Sequence, residues 1–139
     1  MKFIDILNFY KTKINEAISA STVNDPLYAY SLCFTLKEFA DFNRSIYLSI
    51  KEANMEENLL THSIKYTSMK LLVVIKQYSS NTSEYNTFVN ACQKVAEILF
   101  NNRYQDSEDK LNDIHSNRVE MNILERENYL VCELLLTLS

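Results

Sequence analysis

Between residues 2 and 20 the apolar side chains recur three and four positions apart, at Phe3, Leu7, Tyr10, Ile14, Ala17 and Ile18. At about 100° per residue these positions share one stripe, and the spacing predicts an amphipathic helix over 2–20. Residues 84–101 repeat the pattern at Tyr85, Phe88, Val89, Cys92, Val95, Ala96 and Leu99, predicting a second one-faced helix. The polar run Ser79-Ser80-Asn81-Thr82-Ser83 is the clearest loop and precedes that helix.

The other three segments read as helices with two apolar faces. Asn24-Asp25-Pro26 joins capping side chains to a proline whose missing N–H costs nothing in a first turn, which marks a helix start. The predicted helix 26–53 carries Leu32, Leu36, Phe39, Ile46 and Ile50 on one face, and Leu27, Tyr30, Phe34 and Leu48 on another. Over 55–78, Met55, Leu59, His62, Tyr66, Met69 and Val73 stack on one face; Leu60, Ile64, Leu71, Ile75 and Tyr78 stack on the opposite one. Over 107–138, Ile114, Met121, Leu124, Val131, Cys132 and Leu135 oppose Val119, Ile123, Leu130 and Leu134. No strong breaker lies between Tyr47 and Met55, so a single kinked helix over 26–78 is the alternative there. The pattern therefore predicts an all-α fold, a single domain over 1–139 formed by a compact antiparallel bundle of about five helices.

Composition reinforces that expectation. The chain has 139 residues, no glycine and one proline. Phosphate-cradling loops, EF-hand loops, nucleophile elbows and the tightest hairpin turns all rely on glycine, so their absence is expected, and a strand-rich fold is disfavoured with them. Hydrophobic residues make up 47%, enough for a packed core and too many for a disordered chain. The net charge of −4 argues against a nucleic-acid partner, which a basic face would mark. Lys65, Lys70 and Lys76 fall on different sides of the predicted helix and form no such face.

Candidate chemistry is sparse. Cys33, Cys92 and Cys132 are far apart in sequence and read as buried free thiols, suited to a reducing, cytoplasmic compartment. The longest uninterrupted apolar run, Leu71–Ile75, is far too short to span a bilayer. Asp106, Glu108, Asp109 and Asp113 lack the glycine of a calcium loop and read as a solvated helix start. Arg103 and His115 are separated by eleven residues, too many for the Arg-then-His pattern of small helical ribonucleases. No catalytic residue, metal ligand or cofactor is assigned, and the chain is expected not to be an enzyme.

Three two-faced helices in so short a chain expose more apolar surface than one core absorbs. The expected function is accordingly protein–protein interaction, as a regulator, inhibitor, immunity factor or chaperone, through an apolar, aromatic-rich helical surface. That surface is assigned to Leu27, Tyr30, Phe34, Leu48, Val119, Ile123, Leu130 and Leu134, facing a protein partner or a second copy in a homodimer. The alternative is a bundle that senses a small apolar ligand in a pocket lined by His62, Tyr66 and Met69.

Overall fold

The computed structural model describes residues 3–78, 84–104 and 116–139. Its elements follow the order α1 (Phe3–Ser19), β1 (Ser31–Cys33), α2 (Leu36–Asp41), β2 (Arg44–Asn58), β3 (Ser63–Tyr78), α3 (Tyr85–Asn101), β4 (Ser116–Glu125) and β5 (Tyr129–Leu138). Among the described residues the strands form one five-stranded sheet in the order β1-β2-β3-β5-β4. β1 runs parallel to β2, and every other pairing is antiparallel. The all-α expectation is thus overturned. Within 26–53 only Leu36–Asp41 is an α-helix, 55–78 is almost wholly strand, and 116–138 is a hairpin. Residues 107–115 of the fifth expected helix, with the acidic cluster and His115, lie outside the described residues, as does the loop 79–83.

The physical reason is a second periodicity in the same residues. Ile46, Leu48 and Ile50 alternate with a period of two, as do Met69, Leu71, Val73 and Ile75, and again Leu130, Cys132, Leu134, Leu136 and Leu138. A period of two puts each set on one face of a strand. The register aligns them in rows: Ile46, Ile75, Cys132 and Ile123 in one, and Leu48, Val73, Leu134 and Met121 in the next. This face is buried under α1 and α3, whose own stripes supply Ile6, Leu7, Tyr10 and Ile14, and Phe88, Ala91, Cys92, Val95 and Leu99. The two one-faced helices therefore stand where the stripe analysis puts them. Each fully buried large aliphatic or aromatic side chain contributes about 1.5–3 kcal/mol relative to exposure, so this one layer dominates the fold.

The turns are made without glycine. The β2–β3 turn is closed by His62 N–H donating to the Asn58 carbonyl at 2.7 Å, while Leu60 N–H donates to the Asn58 side-chain oxygen at 3.0 Å. His62 takes the left-handed conformation there, φ 54°, and Ala29 does the same before β1, φ 68°. Left-handed non-glycine residues are uncommon, and the Asn58 side-chain bond supplies part of the local compensation. The short α2 is opened by Thr35, whose hydroxyl accepts from Glu38 N–H at 3.2 Å, while the Glu38 carboxylate accepts from Phe34 N–H at 3.1 Å. The reciprocal Thr-x-x-Glu arrangement starts a helix immediately after a strand.

Candidate functional site

Two surface features stand apart from the packed layer. The first lies where α3 meets the outer strand β4. Ala96, Phe100, Val119 and Met121 form the apolar floor of an open groove of about 330 Å³, rimmed by Gln93, Glu97 and Asn101. Phe100 is 55% exposed and Met121 40%. The alternation of β4 explains the floor. Val119 pairs with Leu136 and Met121 with Leu134, so both point to the helix side of the sheet, but at its margin α3 covers them only in part. On the rim, Gln93 Nε2 donates to Glu97 Oε1 at 3.3 Å. On the other face of β4, Arg118 Nε approaches Glu120 Oε1 at 3.0 Å.

The second feature is the outer half of the β2–β3 hairpin. β3 pairs with β5 only from Met69 onward, and β2 pairs with β1 only at Ser45–Tyr47. Among the described residues, 51–58 and 63–68 therefore pair only with each other, forming an arm about 27 Å long at about 3.4 Å per residue. Residues 51–64 are all exposed, Leu59 and Leu60 at the tip by 81% and 93%. Ala53 pairs with the core-facing Met69, and Met55 follows it on the same face; Glu57 pairs with Ile64 two residues further on. That face of the arm thus carries Ala53, Met55 and Ile64 together with the carboxylate of Glu57. His62 Nδ1 lies 3.6 Å from Glu57 Oε1 in this exposed turn.

These features do not coincide with the residues expected from sequence. Leu27, Tyr30, Leu48, Leu130 and Leu134 lie in the core, so they form no docking surface. Phe34 is exposed, and Val119 and Ile123 are partly buried against the core. The expected aromatic helical surface does not form, because residues 44–53 are strand rather than helix. The pocket of the alternative reading is not assembled either: Met69 is fully buried and His62 sits in the hairpin turn. The side chain of Tyr66 lies outside the described residues. Sequence reasoning missed the edge position of β4 and the arm. The usable signal was Val119-x-Met121-x-Ile123, three alternating apolar positions followed by the polar turn Arg126-Glu127-Asn128.

The titratable groups that depart from ordinary behaviour are buried in the core, away from both features. Burial pushes the Tyr10 phenol up to about 12, and its hydroxyl donates to the Asn102 carbonyl at 3.1 Å. Burial also raises Tyr30, whose hydroxyl donates to Gln77 Oε1 at 2.6 Å. A hydrogen bond with Cys132, together with burial, raises the Cys92 thiol. All three cysteines are free and buried. Among the described residues no group of three or more His, Cys, Asp or Glu side chains gathers in a form that could hold a metal ion, and no helix is long and apolar enough to cross a membrane.

No protein-family model matches the chain, and no curated protein is significantly similar to it in sequence.

Proposed function

We propose that this chain is a non-catalytic polypeptide-binding protein that takes an extended, apolar segment of a partner protein along β4, seating alternate side chains in the α3–β4 groove. The observation that carries the reading is the groove beside the strand that is outermost among the described residues, with Met121 and Phe100 standing exposed in it. An outer strand offers a row of backbone donors and acceptors to an added strand, and an adjacent apolar groove selects its side chains. The net charge of −4 supports a polypeptide rather than a nucleic acid as the partner. Three free buried thiols support work in a reducing compartment such as the cytoplasm.

The test is fluorescence anisotropy with a labelled peptide of alternating valine and threonine. Met121→Lys places a charge in the groove floor and weakens binding at least about tenfold, which corresponds to about 1.4 kcal/mol. Glu133→Lys, exposed on the opposite face of the sheet, leaves binding unchanged. Equal binding by the wild type and the Met121 variant overturns the reading.

A further inference from the structure

We propose that Cys92 and Cys132 are a redox-responsive pair, which peroxide joins in a reversible disulfide that staples α3 to β5.

Cys92 lies in the buried stripe of α3, between Phe88 and Val95. Cys132 lies in the row Ile46, Ile75, Cys132 and Ile123, on the face of the sheet that the helices cover. Both side chains are wholly buried in one core cluster, and their thiols share a hydrogen bond across the boundary between helix and sheet. A disulfide requires two sulfurs that already meet, since its S–S bond is only about 2.05 Å long. A thiol–thiol contact between two different elements supplies that meeting.

The third cysteine shows that the pairing is selective. Cys33 aligns with Tyr47, whose row continues through Val74 and Glu133 on the other face of the sheet. Three strand spacings, about 14 Å, separate β1 from β5, and a disulfide spans no more than about 7 Å between Cα atoms. Cys33 is thus out of reach of Cys132, and the sheet itself stands between Cys33 and Cys92.

The oxidant is hydrogen peroxide. The thiolate of one cysteine attacks a peroxide oxygen and the O–O bond breaks. The sulfur becomes a sulfenic acid, and the departing hydroxide takes up the thiol proton as water. The second sulfur attacks the sulfenic sulfur, the S–O bond breaks, and another water leaves with the second thiol proton. Two thiols and one peroxide give one disulfide and two waters. Burial and the shared hydrogen bond raise the Cys92 thiol, so its thiolate is scarce at neutral pH and the pair answers sustained peroxide rather than a trace. Once the first sulfur has reacted, its partner is already in place, and closure outruns further oxidation. The bond closes a loop of about 40 residues, which restricts the unfolded chain and stabilises the folded one.

The full chain is treated with hydrogen peroxide in the absence of denaturant, quenched with catalase, unfolded, alkylated with iodoacetamide and mapped by mass spectrometry. The expected map shows a cross-linked pair of peptides holding Cys92 and Cys132, with Cys33 alkylated, and dithiothreitol returns all three thiols. Urea denaturation of the oxidised sample, before and after dithiothreitol, reads an unfolding constant at least about tenfold smaller with the disulfide. Methionine sulfoxide survives that reductant and cancels from the comparison. Cys33→Ser keeps both results, and Cys132→Ala loses both. Three alkylated thiols, sulfinic acid without a cross-link, a bond to Cys33, or an oxidised form no more stable than the reduced one overturns the proposal. The peptide map uses the wild type alone, so it decides the matter even where a variant fails to fold.

Discussion

The ammonium nitrogen of Lys76 sits 4.7 Å from the centre of the Phe39 ring and donates a hydrogen bond to the Phe39 carbonyl oxygen. The same group donates to the Ala40 carbonyl at 3.3 Å and lies 4.9 Å from the Tyr78 ring centre. Its neighbour across the ladder, Ser45, donates its hydroxyl to the Phe42 carbonyl at 2.9 Å. Two adjacent strand residues thus hold the last carbonyls of α2, where a cation also meets the negative end of the helix. A six-residue helix is too short to persist by itself, and these contacts fasten it to the outer face of the sheet.

Replacing Lys76 by methionine keeps the aliphatic stem and removes the donors. The expected loss is about 1.5–3 kcal/mol, the usual range for hydrogen bonds to a charged group, offset in part because an ammonium no longer has to be desolvated. Urea denaturation measures the total. Hydrogen exchange localises it, with Phe39 and Phe42 amides losing protection before the β3–β5 ladder does. Unchanged exchange at those two amides contradicts the fastening role.

Tyr10 gives the fold an alkaline limit. Its pKa is raised from 10.0 to about 12 by burial, so the folded protein favours the neutral phenol more than the unfolded chain does. A group raised in the folded state contributes stability that is complete below its unfolded pKa. That contribution falls as pH rises through about 10 towards about 12. Tyr30 and Cys92 are raised as well and steepen the same limb. Tyr10→Phe removes the hydrogen bond to Asn102 and costs about 1 kcal/mol at neutral pH. Its stability then declines less steeply above pH 10 than the wild type's, as read from denaturation midpoints across the alkaline range. Parallel curves for the two proteins exclude Tyr10 as a source of the slope.

The helices were legible in the sequence for a specific reason. In α1 and α3 the polar residues between Phe3 and Ile18, and between Phe88 and Leu99, leave a single stripe, and only one periodicity fits. In β3 the positions between Met69, Leu71, Val73 and Ile75 include Leu72 and Val74, so an apolar residue also occurs at most helical spacings. Dense apolar runs satisfy both templates, and the adjacent β-branched residues Val73, Val74 and Ile75 were the feature that favoured strand. The missing glycines then pointed the wrong way. Their absence disfavours tight turns, whereas Asn58 and His62 build one from a side-chain bond and a left-handed backbone. The groove was hidden for a related reason. Val119 and Met121 reveal their exposure only once β4 is known to be the outermost strand, and strand order is a long-range property that no local pattern carries.

A pair of leucines distinguishes the sheet from the bundle directly. Leu60 and Leu71 share one face of the expected helix 55–78, where the two would be buried alike. In the sheet they part company: Leu60 is at the tip of the arm, and Leu71 is fully buried between Ile50 and Leu136. Leu71→Ala is expected to cost about 2–5 kcal/mol, the range for emptying a packed core position. Leu60→Ser changes monomer stability by less than about 0.5 kcal/mol, because an exposed turn residue gives up little on replacement. Both are measured by denaturation of otherwise unchanged chains. Similar losses at the two positions support a helix, and a several-fold difference supports the hairpin.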